Sequence, residues 1–308
     1  MIKAAFFGTA EFAVKILSDL IASNKIKVDL VITQTDKPVG RKQEMQSPPI
    51  KILAEQNNIP VLQPKSLKKD FDTNILKNFT VAITCQYGLL IPQIAIDAPK
   101  FKTINIHTSL LPKYRGASPV QSVLLNGETK TGITIMLIDA KMDHGDILRQ
   151  QTVMIEPDDN YTTLSKKLAD IAGNLTTDTV VDWVEGEIQP LSQDHSQATF
   201  CQMFEKKDGQ VDWQKTAQEI YNQHRGFVEW PGIWTILNGK KIKLLNIKPS
   251  DKKIESGLIK VLDKKIFVGT KDGSIEILYL QSEGKNSMAT EEFLNGARNL
   301  DGMKFESL

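Results

Sequence analysis

Up to about residue 185 the chain alternates apolar runs with helical periodicities. After about residue 210 it alternates short apolar runs with turns. Residues 2–7 read as a buried strand closed by the turn Gly8-Thr9. Over 11–21 the apolar positions Phe12, Ile16, Leu17 and Leu20 share one helix face. Residues 27–33 predict the next strand. This opening predicts a doubly wound, Rossmann-like α/β sheet with its first ligand-facing turn at Gly8. Further strands are expected at 59–62, 81–84 and 103–106, and helices at 50–57, 70–78 and 118–126. The polar stretch 34–47 reads as a loop. Residues 132–138 and 147–153 read as a strand pair around the loop 139–146, and 162–184 as one long helix. Low periodicity over 185–210 marks a linker. Beyond it, strands at 234–237, 241–247, 258–261, 266–269 and 275–280, with hairpin turns at Asn238-Gly239 and Asp272-Gly273, predict a small, OB-like β-barrel. The expected organisation is a catalytic domain over 1–189, a linker over 190–205 and a β-barrel domain over 206–308.

The length of 308 residues suits two domains. No apolar run approaches the ~18 residues of a membrane helix, and no secretory leader precedes the first strand, so a soluble cytoplasmic protein without a membrane partner is expected. Two cysteines, Cys85 and Cys201, make no disulfide framework or metal-spaced cluster. The net charge of +1 excludes nucleic-acid binding by bulk charge alone. From residue 206 onward, however, 17 basic residues face 14 acidic ones. The arginines are few: Arg41, Arg115, Arg149, Arg225 and Arg298.

Gly8 begins no dinucleotide fingerprint, because no second or third glycine follows at the needed offsets, and a nicotinamide cofactor is disfavoured. The richest segment is 105–116. Asn105 and His107 lie two apart at a strand end and so share a face. An amide donor beside a histidine suits a carbonyl that acquires negative charge. Position alone would leave His107 as a core residue; Asn105 and the Pro/Gly-shaped loop after it favour chemistry. The run 139–146 holds Asp139, Asp143, His144 and Asp146. Its spacing fits no calcium loop, and a carboxylate that orients His107 is the more economical reading. His144 could touch a ligand, but a plain loop histidine is preferred. Cys85 could be a nucleophile, though core filler is commoner at a buried strand end. Arg41, near Lys37 and Lys42, reads as solvated surface on composition alone.

The segment 105–116, with Asn105, His107 and Ser109-Leu110-Leu111-Pro112, resembles the 10-formyltetrahydrofolate-dependent formyltransferases. Asp143 completes that family's Asn, His, Asp set, and Tyr87-Gly88-Leu89-Leu90-Ile91-Pro92 is similar to its folate-side loop. Thr33 to Arg41, the run Arg115-Gly116-Ala117-Ser118-Pro119-Val120-Gln121, Asp212-Trp213, Trp230-Pro231-Gly232 and Gln281 to Lys285 resemble the branch that acts on methionyl-initiator tRNA. The loop after Gly40 is less basic than that branch's.

The resemblance implies a one-carbon transferase. It would pass a formyl group from 10-formyltetrahydrofolate to the α-amine of methionyl-initiator tRNA, leaving tetrahydrofolate, with no metal. Asn105, His107 and Asp143 would be catalytic. Tyr87, Gly88, Leu89, Leu90, Ile91, Pro92, Ser109, Leu110, Leu111 and Pro112 would bind folate. Arg41, Lys42, Arg115, Gly116, Lys206, Lys207, Arg225, Lys240, Lys241 and Lys243 would bind tRNA. A monomer with no DNA partner is expected. The alternatives are a folate-dependent N-formyltransferase acting on a sugar amine or glycinamide ribonucleotide, a noncatalytic RNA-binding protein on the same scaffold, and a hydrolase of the formyl folate.

Overall fold

The computed structural model describes residues 1–40, 43–297 and 299–306. The chain divides into two compact units. One comprises residues 1–119, 130–154 and 165–201, the other residues 120–129, 155–164 and 202–308.

The first unit is built on seven strands: β1 (Ile2–Gly8), β2 (Ile26–Ile32), β3 (Val61–Leu62), β4 (Val81–Cys85), β5 (Thr103–His107), β6 (Lys130–Leu137) and β7 (Ile147–Met154). Their order is β7-β6-β5-β4-β1-β2-β3. The five strands from β3 to β5 run parallel, and β6 and β7 add antiparallel. Every residue of β4 and the last five of β1 are buried, as expected when both faces of a parallel sheet are covered. Helix α1 (Glu11–Ala22) contributes Phe12, Ala13, Ile16, Leu17 and Leu20 to that cover. Because β1 lies between β2 and β4, strand order reverses there, the usual position of a ligand crevice. At Gly8 a Cβ would lie 2.6 Å from the Phe6 ring and 2.9 Å from the Ala13 side chain, so the turn into α1 has no room for one. Thr9 Oγ1 and Gln34 Nε2 both donate to the Tyr87 carbonyl, at 2.9 and 2.8 Å, tying the loops after β1, β2 and β4 together.

Three stretches depart from the sequence reading. Within 34–47, Lys37–Val39 pairs antiparallel with Glu44–Gln46, because a hairpin satisfies backbone groups that an open loop leaves to water. Of the helix expected at 70–78, only Thr73–Asn78 forms, as a 3₁₀ turn; Asp72 caps it by accepting from the Asn74 N–H at 3.0 Å. The expected linker is hydrogen-bonded into the first unit as far as Cys201. Leu191 bridges Ile147, and Phe200–Cys201 pairs parallel with Arg115–Gly116. Gly116 has φ +117°, and a Cβ on it would collide with the Cys201 carbonyl oxygen. Further helices of the N-terminal two-thirds include α2 (Pro49–Gln56), α3 (Pro119–Leu125) and α4 (Tyr161–Glu185).

In the second unit, α5 (Ala217–Phe227) is started by a capping box in which Thr216 and Glu219 bond each other's backbone N–H. Five strands follow: β8 (Ile233–Leu237), β9 (Lys240–Ser250), β10 (Ile259–Leu262), β11 (Lys265–Gly269) and β12 (Ser274–Ser282). They are antiparallel, in the order β8-β9-β12-β11-β10. Trp213, stacked on Phe305 at 5.5 Å, fills the core with Ile220, Phe227, Ile242, Ile259 and Ile277. The ladders run from β8 to β10, and Met288–Ala289 adds a sixth, two-residue strand beside β12. Count and turn spacing do not specify whether the outer strands meet. Residues 302–306 bond to both edges: Ile259 N–H donates to the Met303 carbonyl at 2.8 Å, and Glu306 N–H to the Ile236 carbonyl at 3.0 Å. No described helix is long and apolar enough to cross a membrane.

Candidate active site

Asn105 and His107 project from one face of β5, and the loop 138–146 returns across that face to bring Asp143 to both. Asp143 Oδ1 lies 3.5 Å from Asn105 Nδ2 and 3.6 Å from His107 Nδ1. Its Oδ2 accepts the Gly116 N–H at 2.8 Å. His107 is 6% exposed, so its nitrogens need partners inside the fold. Its Nε2 sits 2.9 Å from the Tyr114 carbonyl oxygen. A carbonyl only accepts, so Nε2 carries a proton, and in the neutral ring Nδ1 is the basic nitrogen. That nitrogen faces the Asp143 carboxylate.

Behind Asp143 stands a polar group that the sequence did not single out. Asp143 occupies the left-handed region at φ +47°, which costs a non-glycine residue about 1 kcal/mol. The Gln193 amide donates to the carbonyls of Asp143 and Gly145 at 3.0 and 2.7 Å. Its Oε1 accepts from Arg115 Nε at 3.2 Å and Nη2 at 2.6 Å. Arg115 Nη2 also reaches His195 Nδ1 at 2.8 Å. Since guanidinium only donates, that nitrogen accepts and His195 is neutral, protonated at Nε2. Desolvation, followed by the adjacent His144 and Arg115 charges, holds His195 below its ordinary pKa. His195 stacks on His144 at 3.9 Å, and His144 Nδ1 lies 2.6 Å from Asp139 Oδ2. His144 is thus part of a network rather than a plain loop histidine.

Arg115 is 4% exposed, and the guanidinium contacts just described lie within its own unit. It braces the loop and is not a surface contact for a polyanion. Its neighbour Gly116 supplies the N–H that holds Asp143. Ser109 is fully buried and donates to the Lys113 carbonyl at 2.7 Å, and Leu111 is 3% exposed; both build the loop instead of lining a ligand site. Leu110 and Pro112 are half-buried. The Tyr87 ring is also turned inward, edge-on to Phe7 at 5.4 Å, and its hydroxyl has no hydrogen-bond partner among the described residues. Burial pushes that phenol up to about 12. Leu89 and Leu90 point out, Leu90 being 89% exposed, while Ile91 and Pro92 are half-buried. Gly88, at φ +77°, turns the chain toward this apolar ledge. Cys85 is buried and desolvation raises its thiol pKa, so it is core, not nucleophile. Among the described residues no cluster of three His, Cys, Asp or Glu could hold a metal ion.

Arg41 and Lys42 lie outside the described residues. Asp36, just before the paired strand Lys37–Val39, accepts from Gln63 at 2.7 Å and from Lys51 and Ser47 at 3.1 Å, bonds that lower its pKa. In the second unit Lys206, Lys241 and Lys243 gather around Trp234. Lys241 Nζ lies 3.7 Å over the indole, and Trp234 Nε1 donates to the Lys206 carbonyl at 3.2 Å. Burial, then the Lys243 and Lys206 charges, lower the Lys241 pKa. Lys207 pairs with Glu205 at 3.0 Å and Lys240 is exposed at the β8–β9 turn. Arg225 departs from expectation. It is 6% exposed; Nη1 donates to the carbonyls of Glu156, Pro157 and Asp159, and Nη2 to Asn222 Oδ1 at 2.7 Å. Its charge is spent on orphaned carbonyls inside the unit.

The formyl transferase family matches residues 2–180, and the formyl transferase C-terminal domain matches residues 203–298. The methionyl-tRNA formyltransferase of Caldicellulosiruptor saccharolyticus is 41% identical over 299 residues, covering 94% of this chain and 96% of that protein. The methionyl-tRNA formyltransferase of Thermodesulfovibrio yellowstonii is 39% identical, covering 97% of each chain. Among solved structures, the N-formyltransferase of Helicobacter canadensis, bound to folinic acid and dTDP-3-aminofucose, superposes with a TM-score of 0.66. It covers 90% of this chain and 99% of that one at 20% identity, a likeness of fold.

Proposed function

The chain belongs to the methionyl-tRNA formyltransferases, and from that premise we propose how its residues carry a formyl group from 10-formyltetrahydrofolate to the α-amine of methionyl-initiator tRNA. The observation that carries the reading is the convergence of Asn105 Nδ2 and His107 Nδ1 on Asp143 Oδ1, at 3.5 and 3.6 Å.

The folate supplies the formyl carbon that the amine attacks. Asn105 holds one amide N–H near Asp143 and offers the other to the oxygen that becomes negative. His107 Nδ1 takes the proton that the amine releases. It can do so because Nε2–H is committed to the Tyr114 carbonyl. Asp143 stabilises the imidazolium formed, and Nδ1–H then serves as a second donor to the oxyanion or returns the proton to the leaving nitrogen. The nucleophile belongs to the substrate, so the buried Cys85 is not needed. Leu89, Leu90, Ile91 and Pro92, with Leu110 and Pro112, would hold the folate rings by apolar contact.

The basic cluster of Lys206, Lys241 and Lys243, with Lys207 and Lys240 nearby, would meet tRNA phosphates, and Arg41 and Lys42 would contact the acceptor end. Phosphate contacts of this kind add affinity without chemistry. The bonds from residues 302–306 to both sheet edges support reading the second unit as a small OB-like barrel. A formyl-transfer assay decides the function. Methionine-charged initiator tRNA should be formylated from 10-formyltetrahydrofolate, charged elongator tRNA less well, and small amines scarcely. Equal turnover of a sugar amine would favour the small-molecule alternative.

A further inference from the structure

We propose that Gln193 is a positioning residue for the reaction, clamping the backbone at Asp143 so that its carboxylate meets Asn105 and His107. The inference rests on the function proposed above for the trio.

Three observations lead to it. First, Asp143 holds a left-handed backbone at φ +47°, uncommon for any non-glycine residue though least so for Asn and Asp. Bonds from outside the loop add to its hold there. Second, Gln193 makes such bonds. Its one amide nitrogen spans the carbonyls of residues 143 and 145, on either side of His144, so the turn is held at two points. At 5% exposure, water does not compete for these bonds. Third, Gln193 is itself fixed. Arg115 Nε and Nη2 both bond its Oε1, which sets the amide orientation, because guanidinium accepts nothing and must face the oxygen. Hydrogen bonds from a charged donor are the stronger kind.

Arg115 and Gly116 therefore grip Asp143 by two routes. Gly116 N–H takes the carboxylate directly, and the Arg115 side chain takes the backbone through Gln193. The residue after β5 that shapes the loop and the residue that orients the acid are thereby coupled. His195 accepts the Nη2 proton at 2.8 Å and steadies the guanidinium from the far side.

The test is a double-mutant cycle read in single-turnover formylation of methionyl-tRNA with 10-formyltetrahydrofolate. Gln193→Glu keeps the acceptor for Arg115 but loses the amide donor and sets an oxygen against two carbonyls. It should lower kcat about tenfold to a hundredfold, with KM for either substrate changed less than threefold. In an Asp143→Ala background the same change should cost less than twofold, since the clamp then has nothing to orient. Gln193→Asn, which keeps the amide but falls about 1.5 Å short, should repeat the pattern and serves if the Glu variant does not fold. Equal losses in both backgrounds, or near-native kcat for a folded variant, would overturn the inference while leaving the trio intact. A wild-type chain that formylates no methionyl-tRNA would overturn the functional reading and this inference together.

Discussion

His107 donates its Nε2 proton to the Tyr114 carbonyl at 2.9 Å, and this one bond decides which nitrogen is free for chemistry. It leaves Nδ1 beside Asp143 at 3.6 Å. His107→Gln can restore a donor near the Nε2 position and so spare the loop, but it has nothing to replace Nδ1. The variant should fold and bind tRNA while kcat falls about a hundredfold, roughly 3 kcal/mol of barrier. Asn105→Ala should cost at least as much. Rapid-quench formylation beside a filter-binding measurement of tRNA affinity separates the two effects. Turnover within threefold of wild type would remove His107 from the chemistry.

The buried phenol of Tyr87 has no partner for its hydroxyl among the described residues. Burying an unpaired polar group costs roughly 1–3 kcal/mol, so removing it relieves part of that cost. Tyr87→Phe should raise stability by about 1 kcal/mol, read as a higher urea midpoint at unchanged slope. The KM for the folate should not move, because the ring faces the core. A raised folate KM would place the hydroxyl in the ligand site after all.

Lys241 rests on the Trp234 ring, with Lys206 and Lys243 nearby. If this cluster meets phosphates, each lysine lost should flatten the dependence of log Kd on log salt by about 0.7–0.9. Lys241→Ala/Lys243→Ala should therefore weaken tRNA binding and reduce the slope by about 1.4–1.8, with kcat at saturating tRNA little changed. Trp234→Phe should weaken binding less than removal of the lysines. A salt slope identical to wild type would place the RNA elsewhere.

His224, on α5, is pushed down by burial from 6.5 to about 4. The folded chain keeps the ring neutral, whereas the unfolded chain protonates it near pH 6.5. Lowering the pH from about 6.5 to about 4 thus favours the unfolded state, and the stability present above pH 6.5 is lost across that window. Thermal melts should show His224→Gln losing less stability than wild type between pH 7 and pH 4.5. Parallel curves would show that the ring titrates alike in both states.

The convergence of the proposed trio was legible because two of its members lie two residues apart at a strand end, where alternation alone forces a common face. The parallel sheet was legible for a similar reason, since its central strands are apolar on both faces. Gln193 left no trace. It is a polar residue in a polar stretch, and nothing local says that its amide is buried against two carbonyls 48 and 50 residues away. Arg115 and Arg225 misled in the opposite sense. A cation suggests an external anion, yet both guanidiniums are consumed by internal acceptors, and sequence does not distinguish a charge that faces solvent from one that staples carbonyls. Whether the outer strands of the second unit meet depends on residues 302–306, far along the chain from β8.

Gly116 draws these threads to a single point. Its N–H grips the acid, its backbone angle excludes ordinary side chains, and the Cys201 carbonyl occupies the space where a methyl group would go. Even alanine there would act as a wedge, prising the 200–201 segment from the loop and dragging the anchoring N–H out of reach. Saturation of that codon under selection for activity should return glycine alone.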